Sequence, residues 1–392
     1  MALNTVPSLQ SLTEVKVALA VFNDDIIHFL DEFIKLGDIF TYSDSFRISK
    51  SQKERIKEIE MKLFTYLPES PVNRVIFIFR PIVGEVHFWV RDHYHIIKYI
   101  EKRHIMNNLC WKREVTIDRT KTSKQLIQNE SINKRVRFAL AAMYFYEQDI
   151  LQLWESMTTK ERNNISLIDS DLVVRMWTKG LRENAASPWT QWMPEYLSFA
   201  HQELITSGRL SSSGRIRIRS FYSVLNKYDK RRFIHSLWPY YAHTHDLLEC
   251  YYLSDETERD EIFHNPDHFR FESKTKDLLC FYIDWPLQTL FLDVVNQMWD
   301  RLTPECFEHC LFYIVQQKLS ESVEDFDYLK LFKDLWNRIP DSYKKRFCKR
   351  TKKFAPEVLR YDKKARTVSI EEILKRYKDM ATIECLYIPC TE

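Results

Sequence analysis

Glycine is scarce: the chain has 5 in 392 residues, where ordinary usage of roughly 7% would supply about 27. A chain so poor in glycine makes few of the φ > 0 turns that close β-hairpins and cradle phosphates, whereas helix pairs need them far less. Neither G-x-G-x-x-G nor G-x-x-x-x-G-K-[ST] occurs, which removes the Rossmann and P-loop readings. Long apolar runs are missing too. No stretch approaches the roughly 18 residues that span a bilayer, and "FYIDWPLQTLFLDVV" contains two Asp and a Gln, so no membrane association is read. The opening "MALNTVPSLQSLTEVKVALAVFNDD" lacks a basic n-region, and "VALAVF" is shorter than a signal-peptide h-region. No charge dominates: 58 basic and 55 acidic side chains leave a formal +3, too little to steer nucleic acid by the global field. The 8 cysteines lack dense spacing and read as reduced thiols in a cytoplasmic chain, with the nucleus as the alternative.

What the sequence does have is material for a core, at 45% hydrophobic residues, and a recurring pattern. "LFKDLWNRIPDSYKKRF" at 331–347 is echoed by "VVNQMWDRLTPECFEHC" at 294–310 and by "DILQLWESMTTKERNNI" at 149–165. Aligned on Trp154, Trp299 and Trp336, these share apolar residues four before (Ile150, Val295, Phe332), one before (Leu153, Met298, Leu335) and three after (Met157, Leu302, Ile339). Those offsets trace one helical stripe. Turn and cap residues follow it: Thr158 with Glu161, Thr303 with Pro304, and Pro340 before Asp341.

Each unit therefore reads as helix, short turn, helix. Spacings of 37 and 145 residues between the three Trp fit a period of about 36–37, which puts further units near 190, 226 and 263, the second with Asn226 in the Trp position. The expected fold is all-α: a solenoid of helix hairpins over 134–392, in which neighbours stack to bury what one hairpin cannot. The three Trp are its expected packing residues, and an irregular helical bundle is the competing architecture. Residues 1–112 read as an amino-terminal helical section, and the polar stretch 113–133 as a linker. Within the first section "VIFIFRPIVGEVHFWV" reads as two buried helical pieces broken at Arg80-Pro81, with a short hairpin as the alternative.

"RVRFALAAMYFYEQDILQLWESM", at 135–157, followed by Trp-ended helices, resembles the first repeats of uncharacterised arthropod helical-repeat proteins, some loosely described as ankyrin-like. The resemblance covers 135 to about 355 and lacks the ankyrin T-P-L-H signature. It implies an interaction array and transfers no functional residue.

Chemistry-bearing motifs are sparse. Cys306, His309 and Cys310 share a helix face and could form part of a zinc site, but no fourth ligand is evident and the positions suit a buried face. His243 and His245 lie two apart, next to Asp246, and cannot chelate from a helix. The densest acid-base cluster is "HFWVRDHYH", with His87, Asp92, His93 and His95, yet no paired nucleophile accompanies it. No metal, cofactor or catalytic residue is therefore assigned.

Two basic patches remain, Lys230, Arg231 and Arg232 within 227–232, and "KKRFCKRTKK" at 344–353, which includes Lys344, Lys345, Arg346, Lys349 and Arg350. "RIRIRS" adds Arg215 and Arg217 ahead of Ser220, a pattern basophilic kinases read. The resulting expectation is a non-catalytic scaffold or adaptor for unknown protein partners, held by repeat-spaced aromatic residues lining a groove. The alternative is a nucleic-acid-binding array using the two basic patches.

Overall fold

Two extended residues, rather than a glycine, turn this chain from one helix into the next. A computed structural model describes residues 9–36, 48–165, 172–183, 193–198, 215–238, 242–264, 274–361, 370 and 372–373. Among them every element is helical apart from isolated bridges at Trp111–Ile117 and Ile216–Ala242. Packing divides the chain into two units, Met1–Ile262 and Phe263–Glu392.

In the first unit, helix α1 (Leu9–Leu36) buries Ala18, Phe22, Ile26, Phe29 and Phe33 at three- and four-residue spacing. Helix α2 (Lys50–Phe64) opens on a capping box in which Ser49 and Gln52 satisfy each other's backbone N–H. Both pack on α3 (Glu69–Ile97), which runs without interruption through Pro81. The expected break at Arg80-Pro81 is absent. An interior proline costs about 3 kcal/mol, but Ile78, Phe79, Ile82, Val83 and Val86 are all buried around it and hold the helix together.

After α4 (Lys102–Asn108), residues 113–133 contain α5 (Arg119–Gln128) where a linker was expected. Its polar residues serve packing: Asp118 caps the helix, while Arg119, Thr122 and Ser123 are buried beside Leu126 and Ile127. The unit boundary lies instead at Ile262. Helix α6 (Lys134–Met143) ends with Phe145 in the left-handed region, φ 56°. There the Tyr146 N–H donates to the Ala141 carbonyl at 3.0 Å and the Phe145 N–H to that of Ala142 at 3.1 Å. This is a Schellman cap without its usual glycine, and the Phe145 ring packs at a tilt 4.5 Å from Phe221, a contact that offsets the strain. Further helices of this unit include α7 (Glu147–Ser156), α8 (Thr159–Asn163), α9 (Leu172–Arg182), α10 (Lys227–Leu237), α11 (Asp246–Leu253) and α12 (Glu256–Arg259).

The second unit contains α13 (Thr275–Ile283), α14 (Phe291–Gln297), α15 (Pro304–Tyr313), α16 (Tyr328–Arg338), α17 (Asp341–Arg346) and α18 (Lys349–Arg360). No single helix among the described residues is long and apolar enough to cross a membrane; α13 and Gln288–Gln297 reach that length only as a pair bent by 115°.

The repeated turn occurs five times among the described residues, at Trp154, Tyr222, Tyr251, Trp299 and Trp336. Three residues after each aromatic, Met157, Leu225, Ser254, Leu302 and Ile339 are extended, with φ from −92° to −67° and ψ from 124° to 144°. One residue later Thr158, Asn226, Asp255, Thr303 and Pro340 are extended again as N-caps of the second helix. Ordinary L-residues adopt these angles without strain, so the low glycine content is no handicap.

Burial follows the same register. The residue four before the aromatic (Ile150, Ile218, Leu247, Val295, Phe332), the residue one before (Leu153, Phe221, Cys250, Met298, Leu335) and the residue eleven after (Ile165, Phe233, Ile262, Cys310, Phe347) are buried in every copy. The residue eight after lies over the ring: Arg162 at 4.9 Å, Lys230 at 5.2 Å, Arg259 at 5.0 Å and Lys344 at 5.2 Å, with the Phe307 ring 5.2 Å from Trp299. Arg162 and Arg259 also donate Nε to the carbonyl of their own aromatic, at 2.9 and 3.0 Å. This clasp fixes the angle at which the second helix leaves the turn.

Two expectations change here. The three Trp are half-buried, and the apolar stripe around them carries the packing. The period of about 36 is not kept either: successive aromatics lie 68, 29, 48 and 37 residues apart. The copy expected near 226 is centred on Tyr222, the one near 263 on Tyr251, and the position near 190 lies outside the described residues.

Two pairs of copies, Tyr222 with Tyr251 and Trp299 with Trp336, stack like on like. The Tyr222 and Ser254 hydroxyls meet at 2.8 Å and Lys230 pairs with Glu258 at 2.6 Å, while in the second unit α15 packs on α17. Truncating the fully buried Leu335 to Ala should cost about 2–5 kcal/mol in urea unfolding. Arg259→Lys, which keeps the charge but loses the carbonyl hydrogen bond, should cost about 1 kcal/mol.

Candidate functional site

The two histidine motifs, 150 residues apart in sequence, meet inside the first unit. Helix α3 brings Glu85, Asp92 and His93, the turn before α11 brings His243, Thr244 and His245, and Asp246 opens α11. Asp92 accepts two hydrogen bonds from Thr244, from the backbone N–H at 3.0 Å and from the hydroxyl at 2.8 Å. The Thr244 hydroxyl oxygen in turn accepts from Arg91 at 2.8 Å. Arg119 and Arg215 stand 3.5 and 3.8 Å from the Asp92 carboxylate.

Burial alone would raise the Asp92 pKa, but Arg119, Arg215 and Arg91 outweigh it and hold the group below the ordinary carboxylate range. Glu85 accepts from Arg119 at 2.5 Å and from the Ile117 N–H at 3.0 Å. For this carboxyl burial prevails over the Arg119 charge and the pKa rises.

His93 has an assignable tautomer. Its Nδ1 lies 2.7 Å from the Trp89 carbonyl, which can only accept, so Nδ1 carries the proton. Nε2 then accepts from the Tyr144 hydroxyl, also at 2.7 Å. Burial lowers the His93 pKa to about 4, so the ring is neutral. His243 packs edge-on 4.7 Å from the His93 ring, and neither of its nitrogens makes a hydrogen bond. Burial pushes its pKa well down as well. On the far side Arg217 bridges Asp246 at 2.6 Å and Glu249 at 2.5 Å. Burial drives Asp246 up to about 7 against the pull of Arg217, whereas at Glu249 the Arg217 charge overcomes burial and lowers the pKa.

Acid, base and cation are thus side by side, yet Asp92 and His93 are 1% exposed and His243 and Asp246 0%. In this arrangement no substrate atom reaches them. The network serves as a polar joint locking α3 to the segments around 119, 217 and 244. The sequence shows both histidine clusters but not their meeting; it gives no sign of Glu85, Arg119 or Tyr144, and it assigns Arg217 to a kinase motif. The alternation of Arg215, Ile216, Arg217 and Ile218 reads as isoleucines in and arginines out, yet Arg217 is buried together with both isoleucines.

That burial also alters the reading of Ser220. The serine is exposed, but Arg217 is committed to its buried ion pairs and Arg215 lies against Asp92. Neither arginine is presented to a kinase. Cys306 and Cys310 are buried, and burial raises both thiols. Among the described residues no three His, Cys, Asp or Glu converge as metal ligands.

The two basic patches differ. Lys230 is 9% exposed, clasped on Tyr222 and paired with Glu258, and neighbouring Lys227 pairs with Glu261. Arg231 and Arg232 are half-buried. Lys227 and Lys230 are spent on stacking one hairpin against the next. In the second unit Lys344 holds the clasp on Trp336 and pairs with Asp341 at 3.2 Å, and Arg346 reaches Glu305 at 3.4 Å. The Cys348 N–H donates to Glu308 at 2.8 Å, and Arg350 covers Phe312 at 4.6 Å. Lys345, Lys349, Lys352 and Lys353 are exposed and pair with no carboxylate among the described residues. Trp336, Asp341, Lys344, Lys345 and Lys352 wall an open cavity of about 430 Å³. No family model, curated protein or solved structure matches the chain.

The polar joint makes two measurable demands. Asp92→Ala leaves Arg119 and Arg215 facing a void and should cost about 3–5 kcal/mol. A histidine neutral in the fold and protonated when unfolded loses stability as pH falls from its unfolded value near 6.5 toward the lower folded one. His243→Phe forfeits no hydrogen bond and removes that liability. Its melting temperature relative to wild type should therefore improve progressively as pH drops from 7 to 5.

Proposed function

We propose that the chain is a non-catalytic scaffold: an α-solenoid of helix hairpins that binds protein partners through its exposed surface. The observation that carries this reading is the division of its chemistry. Asp92, His93, His243 and Asp246 are closed inside the first unit at 1% exposure or less, while exposed lysines of the second unit that pair with no carboxylate among the described residues face water beside a half-buried Trp336. Stacking of like on like between the Tyr222 and Tyr251 hairpins in one unit and the Trp299 and Trp336 hairpins in the other supports the solenoid.

A second reading, binding of nucleic acid, is favoured by the four exposed lysines of α17 and α18. Its other contact patch is weakened, because Lys230 is already paired and clasped. Affinity capture of the tagged chain from its native cells, with and without nuclease, separates the two. A defined set of proteins that survives nuclease is the expected result; recovery that collapses on nuclease treatment would replace the scaffold with the nucleic-acid reading.

A further inference from the structure

Resting on the scaffold reading, we propose that the Trp336 cavity of the second unit receives an acidic peptide segment of the partner protein. The cavity is an open depression of about 430 Å³, roomy enough for one peptide side chain and its flanking backbone. The indole supplies an apolar floor, braced on one side by Phe332, stacked at 6.5 Å and 10°, and on another by Phe347 at 6.2 Å. Lys344 stands over the ring at 5.2 Å.

The rim is positive. The Lys352 ammonium donates one hydrogen bond to the Lys345 carbonyl at 2.6 Å, which ties the start of α18 to the end of α17 and pins that charge at the cavity mouth. An ammonium has three donors, so two remain for an incoming carboxylate. Lys349, Lys352 and Lys353 share one face of α18 by their spacing and extend the positive surface beyond the cavity.

Asp341 selects between classes of anion. Its side chain is 88% exposed on the cavity wall. A phosphodiester strand would meet this carboxylate as a like charge and has no backbone donor to offer it. A peptide has an amide N–H at each residue, which can donate to Asp341 while its acidic side chains lie against Lys345 and Lys352 and an apolar side chain covers the indole. Glu305 and Glu308, already engaged with Arg346 and the Cys348 N–H, add to the same discrimination along the neighbouring edge.

The test is fluorescence anisotropy on the full chain with three labelled probes: a short Asp/Glu peptide with one central Leu, its Asn/Gln counterpart, and a single-stranded oligonucleotide of equal charge. The acidic peptide should bind more tightly than either, and added salt should weaken it at least about tenfold. The exposed double variant Lys345→Glu/Lys352→Glu should lose at least about tenfold in peptide affinity while keeping its thermal melt. Asp341→Asn should weaken the peptide and strengthen the oligonucleotide. Equal binding of the acidic and amide peptides, or unchanged affinity in the double variant, would overturn the site; tighter oligonucleotide binding would replace the peptide with nucleic acid. Nuclease-resistant capture of the same proteins by the double variant would preserve the scaffold reading while removing this site from it.

Discussion

A carboxylate taken fully out of water must be surrounded by donors, and Asp92 obtains them from three distant stretches of chain. Thr244 gives two hydrogen bonds, and Arg119 and Arg215 add their charges from about 4 Å or less. Removing such a group from water costs several kcal/mol, which only fixed partners repay. Helix α3, the turn before α11, the start of α5 and the segment at Arg215 therefore have one workable mutual placement. The neighbouring Glu85, His93, Arg217 and Asp246 extend the same constraint, so the first unit is organised around polar geometry as much as around its apolar core.

The hairpins are organised differently, by a turn that any L-residue can make. Two extended residues separate the helices, an N-cap starts the second, and a side chain eight residues beyond the aromatic folds back over it. Arginine, lysine and phenylalanine all fill that last position. Cation–π and aromatic edge contacts are of similar size, about 0.5–1.5 kcal/mol, so the clasp tolerates exchange while the buried positions at −4, −1 and +11 stay apolar or nearly so. Lys230 and Lys344 thus owe their places to the turn, and the basic surface at α17 and α18 arises from the residues around Lys344.

Helical content and the stripe at Trp154, Trp299 and Trp336 were legible in the sequence because a 3.6-residue apolar period and N-cap residues are local signals. The copies at Tyr222 and Tyr251 were legible only as degenerate units near 226 and 263, since neither carries the tryptophan or keeps the even spacing, and the shared geometry lies in cap and burial positions. Pro81 misled in the other direction: its local penalty was visible, the burial on both sides of it was not. The polar joint escaped because pairing Asp92 with Thr244 is a fact of tertiary structure, and a buried arginine such as Arg119 looks, in sequence, like any surface one within a polar stretch.

The distance along the chain between those partners bears on synthesis. As the chain emerges from the ribosome, α3 is complete long before Thr244, Asp246 and Glu249 exist. Until then Asp92 and Glu85 sit on a helix whose other faces are largely apolar, with Arg119 as the earliest counter-charge to arrive. The first unit can acquire its final packing only after residue 249 has cleared the exit tunnel, so a long nascent segment waits with its interior charges still in water. The cost of building a core around separated ionic partners is borne there, during translation, by whatever holds the unfinished chain in solution.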